Sequence, residues 1–94
     1  MAKIKYRKLD LFKSITGAHY LDIEAKLNDP KLSGEKRQEA MEIYTLGLYL
    51  MEQLQTGEIR DAQKEYKHLK QDYEARMDIL ENIDLAELYQ DVMN

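Results

Sequence analysis

Cysteine and tryptophan are absent from this chain, which also has only one proline, one phenylalanine and four glycines. Without cysteine there is no disulfide framework, no zinc finger and no thiol nucleophile. That fits a reducing compartment, and the cytoplasm is the expected location. No apolar run approaches the roughly 18 residues a membrane span needs, so no membrane association is expected. The opening Met1-Ala2-Lys3-Ile4-Lys5-Tyr6-Arg7-Lys8 carries charge with no apolar stretch behind it, so no secretory signal is expected either. Phosphate-cradling glycine patterns and nucleophile elbows are missing. The hydroxyls are Ser14, Ser33, Thr16, Thr45 and Thr56, and Ser33 reads best as a helix cap. We therefore expect no enzyme and no cofactor.

What is present reads as one all-α domain over residues 1–94. A chain this short buries only about 60–65% of its unfolded surface, and small helical proteins often compensate by dimerising. The formal net charge is −4, unevenly spread. Residues 1–13 carry five bases (Lys3, Lys5, Arg7, Lys8, Lys13) against Asp10. Residues 72–94 carry seven acids against Arg76 alone. Ends of opposite sign can attract within a chain or between two copies.

Apolar residues recur at threes and fours, the helical signature. Residues 6–28 predict one kinked helix or two short ones, interrupted at Thr16-Gly17 and ended by Asp29-Pro30. Leu9, Phe12 and Ile15 share a face there. A long helix is predicted over 34–55, with Ser33 as N-cap. Its apolar rows, Met41, Tyr44, Leu48, Met51 and Ala40, Ile43, Leu50, Leu54, cover most of its circumference, which marks it as the buried central helix. Gly47 in its middle predicts the close approach of another backbone. Thr56-Gly57 reads as its C-cap. A second long helix is predicted over 58–81, with a narrow, coiled-coil-like seam through Ile59, Ala62, Tyr66, Leu69 and Tyr73 to Met77 and Leu80. The two would span about 33 and about 36 Å and pair as an antiparallel hairpin. Asp84 and Glu87 stand at capping-box spacing before a short terminal helix with Leu85, Leu88, Tyr89 and Val92 on one face.

Each candidate site has an ordinary explanation beside it. Glu65, His68 and Asp72 share one side of the second long helix, and Glu-x-x-His is half of a di-iron bundle motif. No second copy of the motif exists, and the residues flank the seam on its wet side, so we expect no metal. His19, near Asp22 and Glu24, is a weaker ligand candidate. Seven tyrosines against one phenylalanine suit either packing with wet hydroxyls or a contact surface, with Tyr49 a candidate contact residue. Arg60, Lys64 and Lys67 form a basic stripe, and the arm Lys3, Lys5, Arg7 and Lys8 offers further phosphate contacts. Glu74, Asp78 and Glu81 would continue that stripe with the opposite sign.

The sequence therefore predicts a small non-enzymatic protein–protein interaction module. An inhibitor, adaptor or assembly subunit fits, with phage or mobile-element origin and a homodimeric state as further expectations. The alternative is a nucleic-acid-associated regulator using the basic arm and stripe; a helical-bundle metal protein is a distant third.

Overall fold

Six helices and no strand make up the described part of the computed structural model, residues 8–54 and 58–93; of Lys8, Leu9 and Met93 only the backbone is described. They are α1 (Lys8–Thr16), α2 (Tyr20–Leu27), α3 (Gly34–Gln53), α4 (Ile59–Gln71), α5 (Tyr73–Asn82) and α6 (Leu85–Met93). The all-α bundle expected from the sequence is what is found.

Local chemistry starts and stops each helix. Gly17 takes φ +81°, a left-handed conformation glycine adopts without penalty, and its N–H closes on the Lys13 carbonyl (2.8 Å). The Thr16 hydroxyl donates to the Phe12 carbonyl and accepts from the Ala18 N–H. Residues 6–28 thus hold two helices, not one kinked one. Of these residues, Tyr6 and Arg7 lie outside the described part, as does the Leu9 side chain. His19 caps α2, its Nδ1 accepting from the Leu21 N–H (3.3 Å). Arg37 reaches back from α3 to donate to the carbonyls of Leu27 and Asp29, tying down the end of α2. Ser33 caps α3 as expected, through the Lys36 N–H (3.3 Å). The proposed Thr56-Gly57 cap lies outside the described residues.

α3 is the central helix. Ala40, Thr45, Leu46, Gly47, Leu48, Leu50 and Met51 are all buried on it, and α1, α2, α4, α5 and α6 pack around it. The close approach at Gly47 is real, but the neighbour is not a backbone. A Cβ there would overlap the Phe12 ring, with Cδ2 at 2.7 Å and Cζ at 2.9 Å. Phe12 is fully buried and stands edge-on to Tyr20 (5.2 Å between centroids, 86°). Met41, expected in a buried row, is instead 40% exposed.

The second arm of the hairpin departs from expectation. It is not one helix over 58–81 but two, broken at Asp72, whose backbone is extended (φ −94°, ψ 93°). The seam holds through Ala62, Tyr66 and Leu69, which are buried. Tyr73, predicted to continue it, is 62% exposed. Asp72 supplies the reason: its Oδ1 accepts the Ala75 N–H (3.1 Å), making it the N-cap of a new helix. Arg76 then braces the elbow. Its Nη1 donates to the Lys70 carbonyl (2.9 Å), its Nε lies 3.9 Å from Glu42 Oε1, and its guanidinium sits 5.2 Å from the Tyr73 ring centroid. α6 begins with the expected Asp84 cap on the Glu87 N–H (3.2 Å) and buries Leu88 and Val92 against the core.

Candidate functional site

The residues singled out from the sequence do not converge. Arg60, Lys64 and Lys67 are exposed on α4. Their strip runs beside another, containing Asp61, Glu65 and His68, so charge alternates across the face. Lys67 also borders a cleft of about 320 Å³ with Gln63 and Tyr66 of α4 and the Ser14–Gly17 end of α1. There Gln63 Nε2 donates to the Ser14 carbonyl (2.6 Å). Because the helix breaks at Asp72, Glu74, Asp78 and Glu81 belong to a different helix and do not continue this face. Tyr49 lies elsewhere, half-buried in a crevice of about 200 Å³ with Asp78, Ile79, Asn82 and Ile83 of α5 and its C-terminal end. Lys3, Lys5 and Arg7 lie outside the described residues, as does the Lys8 side chain.

The polar clusters serve as caps and packing. Asp72 is committed to the start of α5 and His19 to the start of α2. Among the described residues, no three His, Asp or Glu side chains gather in a way that could hold a metal ion. Tyr20 and Tyr44 share a hydroxyl–hydroxyl hydrogen bond (3.0 Å), their ring centroids 5.5 Å apart. Burial pushes the Tyr20 phenol well above its ordinary range, and the hydroxyls of Tyr44 and Tyr89 push it further. Burial also raises Tyr44, with smaller contributions from Tyr89 and Glu24. Tyr66 is pushed up to about 12 by burial, then by Glu39 and Glu42. All three stay neutral at physiological pH, which suits packing rather than proton abstraction.

The feature sequence reasoning missed is a groove of about 220 Å³ where α3, α5 and α6 meet. Met41, Met77, Leu80, Ile83 and Leu85 line it, with Thr45 at its buried base and Gln38 and Glu42 at its edge. No residue of α5 is fully buried, so its apolar side chains are only half covered. A larger cleft of about 340 Å³ between α2 and α3 has Lys26, Lys36 and Glu39 among its lining residues, and Ile23 and Ala40 behind them. The methionines were visible in the sequence, but their joint exposure depends on the Asp72 elbow.

No helix among the described residues is long and apolar enough to cross a membrane. Comparison with protein-family models, curated proteins and solved structures returns no match.

Proposed function

We propose that this chain is a non-enzymatic protein–protein interaction module that makes contact through the α3/α5/α6 groove. One observation carries the reading: half-covered apolar side chains from three helices line a single groove, with Met41 at 40% exposure in it. Methionine adapts its shape to a partner, which suits Met41 and Met77 to such a contact. The groove lies below the about 300–1,000 Å³ of small-molecule sites, which favours side chains as occupants. Capture from a lysate of the source cell, with crosslinking, tests this. A protein retained by the wild-type chain should be lost with Met41→Lys and kept with Arg60→Glu. Equal retention by all three chains would refute the groove as the contact.

The apolar surplus expected to drive a two-fold dimer is largely covered within the chain, by Phe12 of α1 and Leu88 of α6. A two-fold dimer would use this same groove. Light scattering at micromolar concentration decides it against the monomer mass of 11.1 kDa.

The nucleic-acid reading is second, and the break at Asp72 favours it by separating Arg60, Lys64 and Lys67 from the acids of α5. Asp61 and Glu65 on the adjoining strip, and the net charge of −4, count against it. Salt-dependent retention on DNA, lost when all three bases become alanine, would support it. Nothing in the arrangement of the acids and histidines favours the metal-protein reading.

A further inference from the structure

The exposed charges nearest the α3/α5/α6 groove are acidic, while the bases beside it, Arg37 and Arg76, are partly buried. Glu42 lines the groove, and Glu35 stands seven residues earlier, on the same strip of α3. Glu81 follows Met77 by four residues on α5, and Asp84 sits between the lining residues Ile83 and Leu85. Glu35, Glu81 and Asp84 are exposed. Asp84 caps α6 with one oxygen, its side chain at the surface.

The neighbouring bases are turned inward or towards another face, Arg76 onto the groove-lining Glu42 itself. Arg76, the one base against seven acids in residues 72–94, is folded inward onto Glu42, Lys70 and Tyr73, its side chain 14% exposed. Arg37 is taken up by the carbonyls of Leu27 and Asp29, and Lys36 lines the cleft towards α2. An apolar floor inside an acidic surround selects for a ligand with the opposite pattern.

We propose that the groove receives a basic amphipathic helix of another protein. Apolar side chains of that helix seat among Met41, Met77, Leu80 and Leu85, and its Lys and Arg residues lie against Glu35, Glu81 and Asp84. This rests on the reading of the groove as a protein contact.

Three labelled synthetic helices, titrated with the full chain and followed by fluorescence anisotropy, test it: an amphipathic Leu/Lys helix, a Leu/Glu helix of the same pattern, and a Lys/Gln helix with no apolar face. The Leu/Lys helix should bind at least about tenfold more tightly than the Leu/Glu helix at low salt, the gap closing as salt screens the surround. The Lys/Gln helix should not bind. Met41→Lys should abolish binding and Glu81→Lys should weaken it several-fold; both positions are exposed, and circular dichroism checks that the variants fold. If Met41→Lys does not fold, Glu81→Lys decides.

Equal binding of the Leu/Lys and Leu/Glu helices, both lost in Met41→Lys, would overturn the basic partner and leave the groove as a protein contact. Leu/Lys binding indifferent to both substitutions would overturn both readings. A doubled mass in light scattering, abolished by Met41→Lys, would make a second copy the occupant and overturn the proposal.

Discussion

At Gly47 the central helix meets α1 with nothing between them: the Phe12 ring is 0% exposed and fills the space a side chain would occupy. A few residues away the same helix meets α5, where none of ten residues is fully buried and crevices lie on either side, one at Met77 and Leu80, the other at Tyr49 and Ile79. The difference comes from how each helix reaches α3. A missing Cβ lets α1 come in close, so its apolar face is spent on the core. α5 starts afresh at Asp72 and lies across α3 with apolar side chains on both flanks of its contact. Close packing holds the molecule together; incomplete packing leaves crevices on both sides of α5.

The strongest way to break this comparison is to empty the tight side. Phe12→Ala should cost about 3–5 kcal/mol and Leu48→Ala about 2–5 kcal/mol, read from the denaturant midpoint. Met77→Ala on α5 should cost well under either, because that side chain is only half covered. Comparable losses on the two sides would refute the contrast.

Alkaline pH probes the same asymmetry. The tyrosines raised by burial, Tyr20, Tyr44 and Tyr66, belong to the α1–α4 part, whereas Tyr73 of α5 is 62% exposed. A phenol whose folded pKa is raised contributes stability below its unfolded value and loses it as pH climbs through the folded one. For Tyr66 that window runs from the ordinary value of 10.0 to about 12. Its loss should be on the order of 2 kcal/mol by pH 12, and Tyr66→Phe should remove that share of the pH dependence. Tyrosinate absorbance that rises in one step with a single midpoint near pH 10 would contradict this.

Gly47→Ala sharpens the comparison at one atom. Alanine in a helix normally gains about 1 kcal/mol over glycine. Here the added methyl meets the buried Phe12 ring, and an overpacking cost of about 1–3 kcal/mol should reverse the sign to a net loss of up to about 2 kcal/mol. Measured in a Phe12→Leu background, the loss should shrink, because the two positions share the space. The smallest expected effect is at the elbow. Asp72→Ala removes the α5 cap and should cost about 1 kcal/mol, while leaving the Ala62, Tyr66 and Leu69 contacts intact.

Much of this was legible locally. Ser33 and Asp84 announced two helix starts and Gly17 an interruption, because a glycine or a short polar side chain acts on its own backbone neighbours. The Asp72 break was hidden by its surroundings. The apolar spacing runs without interruption from Leu69 through Tyr73 to Met77, and periodicity cannot register a change of axis. A signal was there, since an aspartate three residues before Ala75 is a possible cap, but the continuous seam outweighed it.

The candidate site was less legible. Arg60, Lys64 and Lys67 were recognisable as a stripe because they sit on one helix. The groove draws Met41, Met77, Leu80 and Leu85 from three helices, and no spacing rule relates them. Arg76 stood out only as a lone base among acids; that it turns inward to Glu42 and Lys70 depends on the elbow it braces.

The sequence by itself determined the helical class, the Ser33 and Asp84 caps, the central place of α3 and the acidic character of residues 72–94, since these follow from periodicity, short-range hydrogen bonding and charge counting. Tertiary structure decided that Gly47 admits a ring, that the second arm bends at Asp72, and that half-covered side chains from α3, α5 and α6 line one groove. Burial belongs to the assembled surfaces: a methionine on a helix is core or surface only once its neighbours have been placed.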